Sequence, residues 1–365
     1  MTTAIWIILG VLVLAYIVLN AKVTRSDGTL IKKLHPYRRM LSFVMPSRNE
    51  SVVYFDDYII ADNLLEYIEK TRKVFPIDIT HLVVNACVEG LRENPKMNCF
   101  ISGQRLYARN HKAVTFSMKR KKKNKEAKVT AVKLFVEDDE NFEDVCARMN
   151  DKIGVERTDK VTGVDKELNF FFRIPRPMMR FAIWFVRWAD YNNILPSFFT
   201  RDDGFSTSMF VANLGSLGMR AGYHHLYEFG NCPLFLMVGK IEERAWVVDG
   251  EVVPRKILHL RYTYDERIDD GLTSSYGMAT VRRCLEDPAE SFGVYYDVDD
   301  EPEGEPDVEL DDSDLEDDPA EAEAEPAEDA DEELEGEAEE DEEGEEDEAE
   351  EDEEDEDDDK PASDA

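Results

Sequence analysis

The chain has 365 residues and a formal net charge of -38, and that charge is confined to one end. Residues 297–365 hold 44 Asp and Glu against the single base Lys360, while the other 296 residues hold 37 acids and 42 Lys and Arg. A tail with long Asp/Glu runs and almost no apolar residue after Leu334 cannot bury enough surface to offset its ordering entropy, so 297–365 is predicted to be disordered. The five cysteines, Cys87, Cys99, Cys146, Cys232 and Cys284, are scattered without a C-x-x-C pair, which argues against a disulfide framework or zinc site and suits reduced thiols.

From the N-terminus, Ala4 to Leu19 is an uninterrupted apolar run, extended by Asn20 and Ala21 to nearly the length of a membrane span. Met1-Thr2-Thr3 supplies no positive n-region and no A-x-A cleavage site follows, so the reading is a retained anchor over 1–23 and not a cleaved signal peptide. Lys22, Arg25, Lys32, Lys33, Arg38 and Arg39 all follow the span, placing the body on the cytoplasmic side of a single-pass membrane protein.

The body, 24–296, is large enough for one substantial core or two small ones. Val52 to Ala61 is rich in Val, Tyr, Phe and Ile and predicts a strand, followed by a helix over Asn63–Lys73. Asp78-Ile79-Thr80 opens a second helix with Thr80 as N-cap. Leu82, Val83, Ala86, Cys87 and Leu91 give its 3.6-residue period, and Glu93-Asn94-Pro95 ends it. Tyr107–Met118 and Lys128–Val136 predict two strands of a hairpin whose tip, Lys119–Lys125, is strongly basic. A helix over Glu140–Gly154 follows. Strands are expected around Ser206–Val211, Leu234–Val238, Ala245–Val248 and Val253–Thr263, and a helix over Thr273–Glu286 closes the body. The mixture implies an α+β layer fold without internal repeats.

Within the aromatic and basic stretch from Phe170 to Phe199, Phe181, Trp184, Phe185 and Trp188 fall at i, i+3, i+4 and i+7, with Arg180, Arg187 and Asp190 on other faces. This predicts an amphipathic helix over 178–191, bounded by Pro177 and Pro196. Two readings stand: a helix that turns its aromatics into the core, or an interfacial helix lying on the membrane that the anchor crosses.

Several motifs in the last third share an order. Asn213-Leu214-Gly215 stands at the end of a strand; His225, Asn231-Cys232-Pro233 and Gly239 follow; then Asp265-Glu266-Arg267-Ile268-Asp269-Asp270-Gly271 precedes the last helix. Together they resemble the S-N-L-G, H-x-x-P-I-x-N-x-P and D-H-R-x-x-D-G elements of the catalytic domain of the 2-oxoacid dehydrogenase (dihydrolipoyl) acyltransferases, and in related form chloramphenicol acetyltransferase. Arg39-Met40 and Glu93-Asn94-Pro95-Lys96-Met97-Asn98 resemble upstream family elements more loosely, so the likeness spans most of Pro36 to Asp287.

The resemblance implies a chloramphenicol-acetyltransferase-like two-layer α+β domain, a homotrimer with its active site in a channel between subunits, and acyl transfer to or from coenzyme A without a metal. It carries a catalytic role onto Glu266 and Asp270 and supporting roles onto Arg267, Asn213 and His225. At 266, however, the family has the histidine that acts as general base. An imidazole titrates near the working pH, whereas a carboxylate, with a reference pKa of about 4.3, needs burial to serve as a base there.

The family's hydroxyl-rich strand also differs. It supplies a Ser or Thr for the oxyanion, and here the aligned run Ser208–Gly215 has Phe210 and Ala212. Acyl transfer is therefore expected to be altered or lost, and the alternative is a non-catalytic trimeric scaffold whose acidic tail recruits basic partners at the membrane. No lipoyl domain with a lysine of its own precedes the body, so service as a conventional complex core is not expected. The basic tip 119–125 would serve as a partner for the chain's own tail, for anionic lipid, or for coenzyme A phosphates. Nucleic acid ranks below these, since no recognition module is present and the tail repels phosphate.

Overall fold

The structure is a computed structural model that describes residues 2–119, 129–157, 174–269 and 271–296. Residues 120–125 of the basic tip, Asp270 and the acidic tail 297–365 lie outside the described residues. Helix α1 (Thr2–Ala21) is long and apolar enough to cross a membrane, and its apolar side chains are exposed along its length.

Six strands form a mixed sheet in the order β2 (Val52–Ile60), β9 (Glu251–Asp265), β8 (Leu234–Val248), β7 (Met209–Asn213), β5 (Lys112–Lys119), β6 (Val129–Val136). β7 runs parallel to both β5 and β8, and the remaining pairs are antiparallel. A second sheet pairs β1 (Gly28–Leu30), β4 (Arg105–Arg109) and β3 (Cys99–Ser102).

Side-chain alternation gives the large sheet two different faces. Val114, Leu134, Val211, Leu236 and Leu260 turn to one face, where they form the main core with α3 (Asp62–Arg72), α4 (Ile79–Glu93), α5 (Phe142–Arg157) and α8 (Gly271–Glu286). Phe210, Ala212, Phe235 and Met237 turn to the other, where Ala221, Leu226 and Cys232 of the connection between β7 and β8 cover them. The helical face buries aliphatic side chains, each worth about 1.5–3 kcal/mol; the other face is aromatic and polar.

The expected elements are present, with four differences among them, and β1, β3 and short helices over Pro36–Val44 and Ser197–Asp202 are additional. Asp78, in an extended conformation, caps α4 in place of Thr80. Its Oδ1 accepts from the backbone N–H of His81 at 3.1 Å, and the Asp78 N–H donates to His81 Nδ1 at 3.2 Å. The span expected as one strand from Tyr107 divides at Asn110–His111, because β4 pairs into the small sheet while β5 pairs into the large one. The expected strands at 234–238, 245–248 and 253–263 are two 15-residue strands joined through Asp249-Gly250. Both of these residues have positive φ, as a tight two-residue hairpin turn requires. Finally, the helix at 178–191, here Arg176–Tyr191, does not turn its aromatics into the core: Phe181, Trp184 and Phe185 are exposed.

All five cysteines are buried and unpaired. Burial raises their thiols, Cys146 to about 12, which keeps them protonated and inert.

His111 sits where the strand divides, its ring edge-on to Phe135 at 5.0 Å. Burial, helped by the nearby Arg109 and Lys133 charges, lowers its pKa from 6.5 to about 4. The unfolded chain therefore takes up a proton near pH 6.5 that the folded chain refuses until about pH 4. Stability conferred by His111 is complete above pH 6.5 and falls as the pH is lowered through that window, by up to about 1.4 kcal/mol per pH unit. Urea unfolding at pH 7 and pH 5 is expected to show a smaller loss for His111→Gln than for the unaltered protein; equal losses would contradict the assignment.

Candidate functional site

The turn after β9 is built around one buried ion pair. Asp265 and Arg267 side chains are 1% and 3% exposed. Asp265 Oδ1 accepts from Arg267 Nε at 2.8 Å and Oδ2 from Arg267 Nη2 at 2.8 Å, the bidentate fork that suits guanidinium and carboxylate. Oδ1 also accepts from the Arg267 backbone N–H at 3.1 Å and from Ser51 Oγ at 2.9 Å. The remaining Arg267 nitrogen, Nη1, donates to Met45 O at 2.8 Å. Outside this pair, Arg38 reaches the Arg267 carbonyl at 3.4 Å and Asp269 at 3.5 Å.

Glu266 lies between the paired residues. Its backbone N–H donates to Ser51 O at 3.0 Å and its side chain is exposed. The burial that a carboxylate base needs is thus absent from one copy of the chain. Asp270 lies outside the described residues.

Beside this turn, the sheet face that holds hydroxyls in the family pattern is filled with rings. Phe210 stacks on Phe235 at 4.7 Å, His224 stacks on Phe235 at 3.9 Å, and Tyr227 meets Phe205 edge-on at 4.6 Å. Phe235 stands opposite Thr263, three residues before Glu266. The nearby hydroxyls are already engaged: Thr263 Oγ1 donates to His224 O at 2.7 Å, Thr207 Oγ1 donates to Ala113 O at 2.8 Å, and Ser208 Oγ accepts from Ala113 N at 3.1 Å. Burial lowers the pKa of His224, so its ring is neutral at pH 7. His225 is exposed and lies edge-on to Tyr227 at 5.2 Å.

Asn213 is elsewhere. It pairs with Val238, which pairs with Leu260, six residues before Glu266. At roughly 3.3 Å per residue the two are about 20 Å apart along the strand. Asn213 caps the turn after β7, accepting from Ser216 N at 3.1 Å and donating to Thr80 Oγ1 at 3.0 Å. The following Gly215 has a packing role: a Cβ there would lie 2.5 Å from the carbonyl oxygen of Gly239. The two motif glycines therefore mark a close backbone crossing.

Local sequence signals did not reveal a buried polar network around Asn231. Asn231 Nδ2 donates to Asp27 Oδ2 at 2.9 Å, and Arg109 Nη2 donates to Asn231 Oδ1 at 2.9 Å. Arg25 forks onto Asp27 at 2.8 and 3.0 Å. Burial acts to raise Asp27, but the Arg25 hydrogen bond together with the Arg25 and Arg109 charges outweighs it and the net shift is downward. Burial lowers Arg109 to about 10. The acidic and basic residues themselves were the available signal, though nothing in their spacing pairs them.

A cavity of about 170 Å³ adjoins the network. It is lined by Arg48, Arg187 and Arg267 together with Asp190, Asp203 and Glu228, so it has no dominant sign, and Glu266 is not part of its wall.

Truncating Arg267 would leave the Asp265 carboxylate buried and uncompensated. Arg267→Ala is expected to lose about 3–5 kcal/mol of unfolding free energy, with Arg267→Lys intermediate because it keeps a charge without the fork. Denaturant midpoints check this, and a loss below about 1 kcal/mol, the surface-pair value, would contradict the clamp.

Residues 199–292 match the family model of the 2-oxoacid dehydrogenases acyltransferase catalytic domain. A probable dihydrolipoyllysine-residue succinyltransferase component of the 2-oxoglutarate dehydrogenase complex from Schizosaccharomyces pombe is 38% identical over 66 residues, 18% of this chain and 15% of that protein. The dihydrolipoyllysine-residue acetyltransferase component of the pyruvate dehydrogenase complex from Bacillus subtilis is 40% identical over 80 residues, 21% of this chain and 17% of that protein. The chain thus spans under a fifth of the length of these curated relatives. Among solved structures, a probable dihydrolipoamide acetyltransferase from Listeria monocytogenes 4b F2365 aligns over 71% of this chain and 95% of its own, with a TM-score of 0.46 and 13% identity. A chloramphenicol acetyltransferase aligns over 71% and 99%, with a TM-score of 0.44 and 12% identity. By the segment 199–292, the chain is related to the 2-oxoacid dehydrogenase acyltransferases through their catalytic domain.

Proposed function

We propose that this protein is a membrane-anchored relative of the acyltransferases that has lost coenzyme A-dependent acyl transfer by the family's route and serves as a trimeric scaffold. The observation that carries the reading is the stack of Phe210, Phe235 and His224 on the sheet face beside the Glu266 turn. That stack takes the place of the hydroxyls a tetrahedral intermediate needs, a loss worth a few kcal/mol of transition-state stabilisation by itself. Glu266 stands exposed where the thiol's proton would be taken, and the buried carboxylates of the turn, Asp265 and Asp269, are engaged by Arg267 and Arg38. The residues therefore do not fit the acyl-transfer step of coenzyme A chemistry.

The anchor reading places α1 across the bilayer as a single span, with the body and its acidic tail on the cytoplasmic side. The tail would recruit basic proteins. The trimer is carried over from the family and is supported by α2 (Pro36–Val44), which ends next to the Met45 carbonyl held by Arg267. Tyr37, Met40, Phe43 and Val44 expose more than half of their surface, an apolar face that a neighbouring copy would cover.

With acetyl-CoA and dihydrolipoamide, the full-length protein in nanodiscs is expected to release coenzyme A at the background rate, unchanged by Glu266→Gln. Turnover abolished by Glu266→Gln would overturn the reading and make Glu266 a working base. For assembly, the detergent-solubilised protein is expected to sediment as three chains and Phe43→Glu as one. An unaltered protein that sediments as a single chain would remove the trimer.

A further inference from the structure

The helix Arg176–Tyr191, α6, divides into three arcs at about 100° per residue. Met179, Ala182, Val186 and Ala189 share the arc toward the body, Ala189 being 3% exposed and the others half-buried. Phe181, Trp184 and Phe185 share the arc pointing away and are 63%, 56% and 47% exposed. Their rings pack on one another, Phe181 to Trp184 at 5.6 Å and Phe185 to Trp188 at 5.8 Å, so they form a patch and not isolated exposures. Arg176, Arg180 and Arg187 occupy the flank between these arcs and are all exposed. The usual order of a helix on a soluble core is inverted: aliphatic side chains, two of them alanines, face the body and large aromatic ones face out.

The end of the candidate span is fastened to this helix. Asn193 Nδ2 donates to Lys22 O at 2.8 Å, Arg25 Nη2 pairs with Asp190 Oδ1 at 2.8 Å, and Arg25 Nη1 donates to Asp190 O at 3.1 Å. Ser102 Oγ donates to the same Asp190 carboxylate at 3.1 Å. Gly103 approaches so closely that a Cβ there would lie 2.3 Å from Tyr191 O. The C-terminal end of α6 is therefore held within a few residues of the point where α1 ends, and the whole helix is only about 24 Å long. Phe198 and Phe199, 61% and 42% exposed, continue the apolar surface beyond it.

We infer that α6 lies in the cytoplasmic interface of the membrane that α1 crosses. Its Phe181, Trp184 and Phe185 face enters the boundary between head groups and acyl chains, and Arg176, Arg180 and Arg187 rest on anionic head groups. This rests on the anchored reading of α1. The helix and the span together would hold the body in one orientation on the bilayer, where a lone span would leave it free to swivel.

Nitroxide labels report the two readings separately. The native cysteines are buried, so single cysteines introduced as Leu12→Cys, Trp184→Cys and Arg187→Cys into the full chain take the label selectively. In nanodiscs containing phosphatidylserine, collisions with oxygen are expected to exceed those with a water-soluble nickel chelate several-fold at 12 and at 184, with the ratio falling toward parity at 187. Lipid at 12 with water at 184 would overturn the proposal alone; water at 12 would remove the anchored reading and this proposal with it. Strong dipolar coupling between 184 labels on neighbouring copies, with neither collider reaching them, would assign the face to a second copy of the chain and also overturn it.

Discussion

The body is organised around the buried Asp265–Arg267 pair. Two charges nearly removed from water are tolerable only when almost every hydrogen-bonding position is filled, and here the fork, Ser51 Oγ, the Arg267 N–H and Met45 O fill them. Each partner belongs to a different segment: Met45 follows α2, Ser51 precedes β2, and the Asp265 N–H reaches Pro233 O at the start of β8. The pair therefore fixes where three stretches of chain meet at the end of the sheet. A protein can keep this aspartate and arginine because the fold requires them, whatever residue stands at 266.

That separation explains what was legible in the sequence. Period and caps are local, so α4 was readable from Leu82, Val83, Ala86 and Leu91, all of which prove fully buried. The Glu266 turn was readable because its residues are contiguous. Partners distant in sequence were not: Arg25 meets Asp190 across 165 residues, and Asn231 meets Asp27 across 204. Nor does periodicity say which arc of an amphipathic helix faces the body. On α6 the arc with Ala182 and Ala189 takes that side, where the alanines allow close approach, and the aromatics are left outside. The long β8–β9 arm was obscured because its outer half is a two-stranded ribbon without a core, where Val247 and Val252 are 65% and 70% exposed and burial leaves no pattern.

The same long-range contacts connect the two ends of the problem. From Lys22 the chain of hydrogen bonds runs through Asn193 and Arg25 to Asp27, then to Asn231, two residues before the Pro233 carbonyl that receives the Asp265 N–H. Every link is part-buried or buried. A body so fastened presents its Glu266 turn in a direction set by the residues just after α1. In the anchored scaffold proposed above, such a fixed orientation would matter more than it does to a soluble catalyst working on a diffusing thioester.

The aromatic face beside the turn points the same way. A hydroxyl on a buried strand must find a partner or cost free energy, whereas Phe210 stacked on Phe235 gains about 0.5–1.5 kcal/mol beyond its burial. The residues that fill this face are thus ones that strengthen the sheet, and under the proposed loss of acyl transfer that is the direction expected when the demands of the fold outlast those of the chemistry. The Asp265–Arg267 clamp and the Gly215–Gly239 crossing carry packing, so these motif residues have a structural role that does not depend on acyl transfer.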